Sequence, residues 1–276
     1  MRGRFQYLFL GLLLVLGFVV RLYKITNPIA DWHSWRQADT SAVTRNWVKN
    51  GVDILTPRYD DFSDVSGRGL FNPNGYRFTE FPLFNLAHYF LYSLISNFYS
   101  LELAGRLISI FATLVSSVLL FFLVRRHSPP AAGLATAIFL FLPYNIYFTR
   151  VILPDPLMVT LVLAALLAQS SSRPLTWIFG SLAVLVKPTA IFFLLPIIKD
   201  FWLFVSLLLP FGLWRIWEHR FPEGIPASLW LLNGNRIRFR PAWFRWLFGE
   251  RLGDMILGQW GIFPFLIGLF QANSYF

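Results

Sequence analysis

Asp31, His33, Arg36, Gln37 and Asp39 crowd into one short stretch, DWHSWRQADTSAVTRNW (31–47), with Trp32, Trp35 and Trp47 around them. It follows the first long apolar run and opens a polar segment that lasts to Phe81. A carboxylate within hydrogen-bond reach of a hydroxyl can take its proton as that hydroxyl attacks, which makes Asp39 a candidate general base. The bland alternative is an ion pair from Asp39 to Arg36 or Arg45 on one helix surface, and spacing alone favours it. His33 could bind substrate or metal; a lone His among tryptophans is more often a hydrogen-bonded structural residue.

A second acid sits in RVILPDP (150–156). Asp155 lies between two prolines, so it belongs at a helix start, where an acid complements the helix dipole. It either caps that helix or converges with Asp39 on one pocket, ordering Arg150 or an acceptor. Arg106 and Lys187 are charges in or at the ends of apolar runs, which by default mark a pathway or a site; snorkelling to the interface is the alternative. A departing phosphate needs such cations. Arg106, Lys187 and the arginines between Glu218 and Arg251 could supply them.

The elements that carry these residues are apolar. Hydrophobic residues make up 56% of the chain and charged residues 14%, against about 25% charged in soluble domains. The abundant Phe and Trp suit lipid-facing surfaces and interfacial belts. The reading is a polytopic, all-helical membrane bundle. The net charge of +10 falls between apolar runs, so phosphate-bearing lipids are the expected partners and nucleic acid is not. There is no Cys, which excludes disulfides and thiolate metal sites. No nucleotide-binding glycine loop, HExxH, GxSxG or metal-spaced His pair is present. No cofactor is implied with certainty, and a divalent cation stays open.

A span needs about 20 mostly apolar residues. The candidate runs are 7–22, 83–98, 103–124, 131–148, 157–168, 175–186, 190–198, 201–217 and 255–271. Arg2 and Arg4 hold the first run's start in the cytoplasm. Arg21 to Lys24 stand where a signal peptide would show small residues, so that run reads as an uncleaved helix. This puts the first loop (23–81) outside and the Arg125–His127 turn inside, provided that 83–98 does not span. It also puts Arg150–Asp155 and Lys187 outside and Lys199–Asp200 inside. An outside segment 218–254, rich in arginine, opposes the positive-inside rule; the alternative is a cytoplasmic basic loop on anionic lipid. Arg36–Trp47 reads as a short amphipathic helix lying on the membrane, with Trp32 and Trp35 as anchors.

In their order, HSWRQADTSAVTRNWVKNG (33–51), FTEFPLFNLAHYFLYSLIS (78–96), ELAGRLIS through RVILPDPLMVTLVL (102–163) and VLVKPTAIFFLLP (184–196) resemble the C-type membrane glycosyltransferases. The resemblance is to the protein O-mannosyltransferase and lipid A aminoarabinose transferase group, over about residues 1–200. It implies inverting transfer of a hexose or pentose from a polyprenyl phosphate to a hydroxyl of a lipid, glycan or protein. The site would face outward from the inner membrane of the cell envelope. By the same resemblance, Asp39 is the base, Asp155 the second loop acid, and Arg106 and Lys187 the cations of the later runs. Asp31, His33, Arg36, Gln37, Glu80 and Arg150 would bind substrate.

This chain departs from the family pattern in two places. Arg36 and Gln37 stand where the family carries an Asp-Glu pair, with Asp39 about one helical turn on, and Asp31 is the alternative acid. Phe81, beside Glu80, replaces a family lysine. The chain ends at Phe276, whereas family members continue; a compact relative, a truncated product and one half of an assembly all stay open. A single module over 1–276 is expected. The rival readings are a flippase of lipid-linked sugars, although no repeated broken helices are visible, and a non-catalytic subunit that keeps the fold.

Overall fold

The computed structural model describes residues 2–227, 233–234 and 236–272. Among these the chain is all-helical, with one isolated antiparallel bridge between Arg58 and Tyr76. The helices are α1 (Arg2–Arg21), α2 (Ser34–Asn50), α3 (Leu83–Ile95), α4 (Leu101–His127), α5 (Pro129–Phe141) and α6 (Pro143–Phe148). They continue as α7 (Asp155–Ala168), α8 (Arg173–Val186), α9 (Ala190–Leu194), α10 (Phe201–Glu218), α11 (Pro241–Phe244) and α12 (Gly258–Ala272).

Local chemistry sets many of the helix starts. Ser100, Ser172 and Asp200 each accept a hydrogen bond from the third residue on, capping α4, α8 and α10. Proline opens α5, α6 and α8 near the first position, where its missing N–H matters least. Pro143 also breaks the apolar run 131–148. Expected as one segment, that run is two helices joined at Leu142.

Among the described residues three helices are long and apolar enough to cross a membrane: Arg4–Arg21, Leu101–His127 and Phe201–Glu218. Leu83–Ile95, Pro129–Phe141, Asp155–Ala168 and Arg173–Val186 are apolar but shorter. Fourteen residues in α7 and in α8 give about 21 Å of helix. Large apolar side chains stay exposed along α1 and α10, among them Leu8, Val15, Leu213 and Ile216. These three helices and their exposed apolar flanks fit a membrane protein.

The core is densest between α7, α8 and α10, where Val162, Ala165, Ala183, Val184, Leu194 and Leu207 pack together. Gly180 lets α10 approach: a Cβ there would collide with the Leu207 side chain. Between α4 and α7 the contact is small and polar. Thr160 donates to the Ala112 carbonyl at 2.7 Å, and its hydroxyl lies 2.9 Å from that of Ser116. Small residues and hydroxyls hold helices together where the surrounding solvent is as apolar as the side chains.

The helix ends sort to two ends of the bundle. At one, Arg126 bonds Ser170 at 2.7 Å and Arg173 pairs with Asp200 at 3.0 Å. At the other, Arg21 donates to Thr149 at 2.8 Å, Ser109 to the Val151 carbonyl at 2.7 Å, and the Phe81 amide to the Leu185 carbonyl at 3.2 Å. The polar segment 23–81 and α2 sit at this second end. So does α3, whose His88 meets the Leu101 carbonyl at 2.7 Å before α4 begins its descent.

The segment 218–254, expected as a loop, is largely helical where it is described: α11 runs into wide π-type turns over Arg245–Leu257. The expected run 255–271 begins within those turns, and α12 starts at Gly258.

Candidate functional site

Asp39 lies on α2, which extends beyond the expected 36–47 at both ends. It was expected to rest an apolar face on lipid. Instead it buries a mixed face, Gln37, Thr40, Ser41, Thr44, Ala42, Val43 and Trp47, within the protein. Asn85 of α3 donates to the Thr40 carbonyl at 2.7 Å and to Thr44 at 3.1 Å. Asn85 thereby meets the Thr44 hydroxyl, while the Thr40 hydroxyl bonds the Arg36 carbonyl at 2.8 Å within α2 itself. Trp32 and Trp35 are exposed.

The partner of Asp39 is neither Arg36 nor Arg45. Arg45 pairs with Asp60, and Arg36 pairs with Glu80 at 2.5 Å. Arg77, 7% exposed, donates to Asp39 Oδ2 at 3.0 Å. It is placed there by two backbone runs lying antiparallel. The Tyr59 amide bonds the Gly75 carbonyl at 2.7 Å and the Arg77 amide bonds the Pro57 carbonyl at 2.8 Å. Gly75 has φ 62°, and a Cβ on it would collide with the Tyr59 carbonyl, so the turn requires glycine. The Arg77 guanidinium lies over the Tyr59 ring at 5.0 Å, and its Nη2 is buried without a partner among the described residues.

Burial pushes the Asp39 carboxyl up to about 6; Asp61 and Glu80 add to the rise and Arg36 opposes it. The hydrogen bond from Arg77 is to the carboxylate and favours the anion. Burial, with Asp61 and Asp39, pushes the neighbouring Tyr59 phenol up as well, keeping it protonated. Asp39 is therefore a carboxylate that titrates close to neutrality beside a buried cation, the condition of a useful general base.

Asp155 opens α7, as its prolines dictate, and meets Lys187 of the turn after α8 at 2.5 Å. Both side chains are about 40% exposed.

Other expected site residues are committed to the protein itself. Gln37 is fully buried: its amide donates to Asp31 Oδ1 at 2.7 Å and to the Trp32 carbonyl at 3.3 Å, and accepts from the Ile152 amide at 3.3 Å. Arg106 donates at 2.5 Å to the carbonyls of Ile25 and Asn27. Arg150 bonds the Tyr23 carbonyl and stacks on Tyr23 and Tyr147. His33, at φ 57°, stacks on Trp32 ahead of α2, in keeping with a structural role. Among the arginines of 218–254, Arg220 stacks on Trp217 and Arg251 on Trp246.

The structure thus brings Asp39, Arg36, Glu80, Asp155 and Lys187 to one end of the bundle, in two separate groups. Between the groups run the Gln37 bonds and the Phe81–Leu185 contact. Sequence reasoning missed Arg77 and Tyr59. The available signal was Arg77 standing immediately before the FTEFP stretch. Among the described residues no group of three His, Asp or Glu is placed to hold a metal ion. No protein-family model matches the chain, and no curated protein or solved structure matches it.

Proposed function

We propose that the protein is a membrane glycosyltransferase of the C-type. It would move a sugar from a polyprenyl phosphate to a hydroxyl acceptor at the outer face of the inner membrane. The observation that carries this reading is the half-buried Asp39 carboxylate held by Arg77 at the same end as the Asp155–Lys187 pair.

In this reading Asp39 accepts the proton of the acceptor hydroxyl as its oxygen attacks the anomeric carbon. The bond from that carbon to the phosphate oxygen breaks on the opposite side. The phosphate leaves as an anion, and Lys187 meets its charge. Holding donor and acceptor in line would supply much of the rate. Arg106, Arg150 and Gln37, bonded to backbone and to Asp31, would position the loops. Glu80 holds Arg36, which in turn lowers the Asp39 carboxyl toward ionisation.

The membrane topology belongs to the same proposal. α1, α4, α5 with α6, α7, α8, the α9 segment and α10 would run between the two ends, with α3 held at the outer one. The Arg125–His127 turn would be cytoplasmic and 23–81 external. The arginines of 236–251 would lie at the outer boundary.

A second reading, a non-catalytic subunit or a flippase of lipid-linked sugars, draws on the commitment of Arg106 and Gln37 to structural bonds. Incubating the purified protein with a labelled polyprenyl-phosphate sugar and hydroxyl acceptors separates them. The transferase forms a labelled product that Asp39→Asn lacks. Product formation unchanged by Asp39→Asn removes the base, and none from the wild type across lipid, glycan and peptide acceptors removes the enzyme.

A further inference from the structure

A groove of about 490 Å³ opens on a different face of α2 from Asp39. Ser41, Val48 and Lys49 line it from α2, Tyr92 from α3, and Leu101 and Glu102 from the start of α4. Ser41 is 4% exposed, and its hydroxyl has no partner among the described residues. A helical hydroxyl ordinarily bonds the carbonyl four residues back, as Thr40 does with Arg36 at 2.8 Å. An unmet buried hydroxyl facing a groove calls for a ligand atom.

The groove's charges point to the kind of ligand. Lys49 and Glu102 face it from different helices, and among the described residues neither has an ion-pair partner. Arg45, at the same groove, is paired with Asp60. Arg106, one turn beyond Glu102, is engaged by the Ile25 and Asn27 carbonyls. A simple anion would meet Glu102, and a simple cation would meet Lys49. A ligand that carries both charges satisfies both walls. The chain between Tyr92 and Leu101 adds an apolar flank, with Leu94 81%, Phe98 82% and Tyr99 54% exposed.

We propose that this groove binds the headgroup of a zwitterionic phospholipid of the phosphatidylethanolamine type. Its ammonium pairs with Glu102, its phosphate with Lys49 and the Ser41 hydroxyl, and its chains lie along Leu94, Phe98 and Tyr99. The site is independent of sugar transfer and needs only this end of the bundle to lie at a bilayer surface.

The test is native mass spectrometry of the full chain in detergent, titrated with phosphatidylethanolamine or phosphatidylglycerol of matched acyl chains. The wild type is expected to hold phosphatidylethanolamine about tenfold more tightly, the worth of one charge-assisted contact. Glu102→Gln should abolish that preference, and Lys49→Gln should weaken both lipids. Equal affinity of the wild type for the two lipids overturns the proposal, as does a preference that survives Glu102→Gln. If Glu102→Gln fails to fold, the exposed Lys49→Glu decides: unchanged phosphatidylethanolamine binding overturns the proposal.

Discussion

Arg77 holds Asp39 at 3.0 Å across a loop turned by Gly75. The acid and its counter-charge are brought together by a backbone turn, not by helical spacing. Asp39 is thereby desolvated without being left alone, and its carboxyl stands at about 6.

The transfer rate should therefore rise with pH through about 6 and level off above, as the base loses its proton. Asp39→Asn should lower it by about 10²–10⁴-fold, the usual worth of a general base. Stability moves the other way. A carboxyl whose folded value is raised binds its proton more tightly when folded. Its penalty is absent in acid, grows as pH climbs from the ordinary carboxylate range toward 6, and is complete above. Asp39→Asn should flatten that part of the stability profile, read as melting temperature against pH.

Removing Arg77 leaves Asp39 half-buried without its cation. Arg77→Met should raise the midpoint of the rate profile and destabilise the fold by about 1–3 kcal/mol. Asp39→Asn in that background should restore part of the loss. A double-mutant cycle with no coupling would show the pair to be incidental.

The Asp155–Lys187 pair is about 40% exposed on both sides. Lys187→Gln should change stability by under about 1 kcal/mol yet lower transfer by about 10²-fold or more if Lys187 meets the leaving phosphate. Equal small losses in both measurements would make the pair a surface contact only.

Close approach at Gly105 gives a test of the packing itself. A Cβ there would lie 2.8 Å from His88 Cε1 and 3.0 Å from Ile152 Cγ2. Gly105→Ala should destabilise the bundle by about 1–3 kcal/mol through overpacking. Gly212→Ala, where no atom lies within 4 Å, should be neutral or stabilising within its helix. Thermal unfolding of both variants in the same detergent provides the comparison.

The chain has no Cys, so single cysteines can report sidedness directly. A Cys at position 69 should react with a membrane-impermeant reagent from outside intact cells, and one at position 126 only after permeabilisation. Outside labelling at 126 would invert or discard the topology.

The helices were legible from their apolar runs, whereas the Ser100 and Asp200 caps that start two of them emerged only in the fold. Asp155 was legible as a helix start because it stands between two prolines. The inner break at Leu142 needed the particular effect of Pro143 within a continuous apolar run. The Asp39 pairing was not legible, because Arg77 reaches it through a loop whose course depends on one left-handed glycine. Nor was the fate of Gln37 and Arg106: a charge or amide in an apolar run looks the same whether it faces a ligand or a backbone carbonyl. Only the fold distinguishes them.

Gln37 has a mechanical consequence. One amide group ties the start of α2 to Asp31 and, on its other side, to the Ile152 amide, three residues ahead of Asp155. That group thus fixes the start of the helix that carries Asp39 against the peptide that leads to Asp155, so the spacing of the two acids is set through a single side chain.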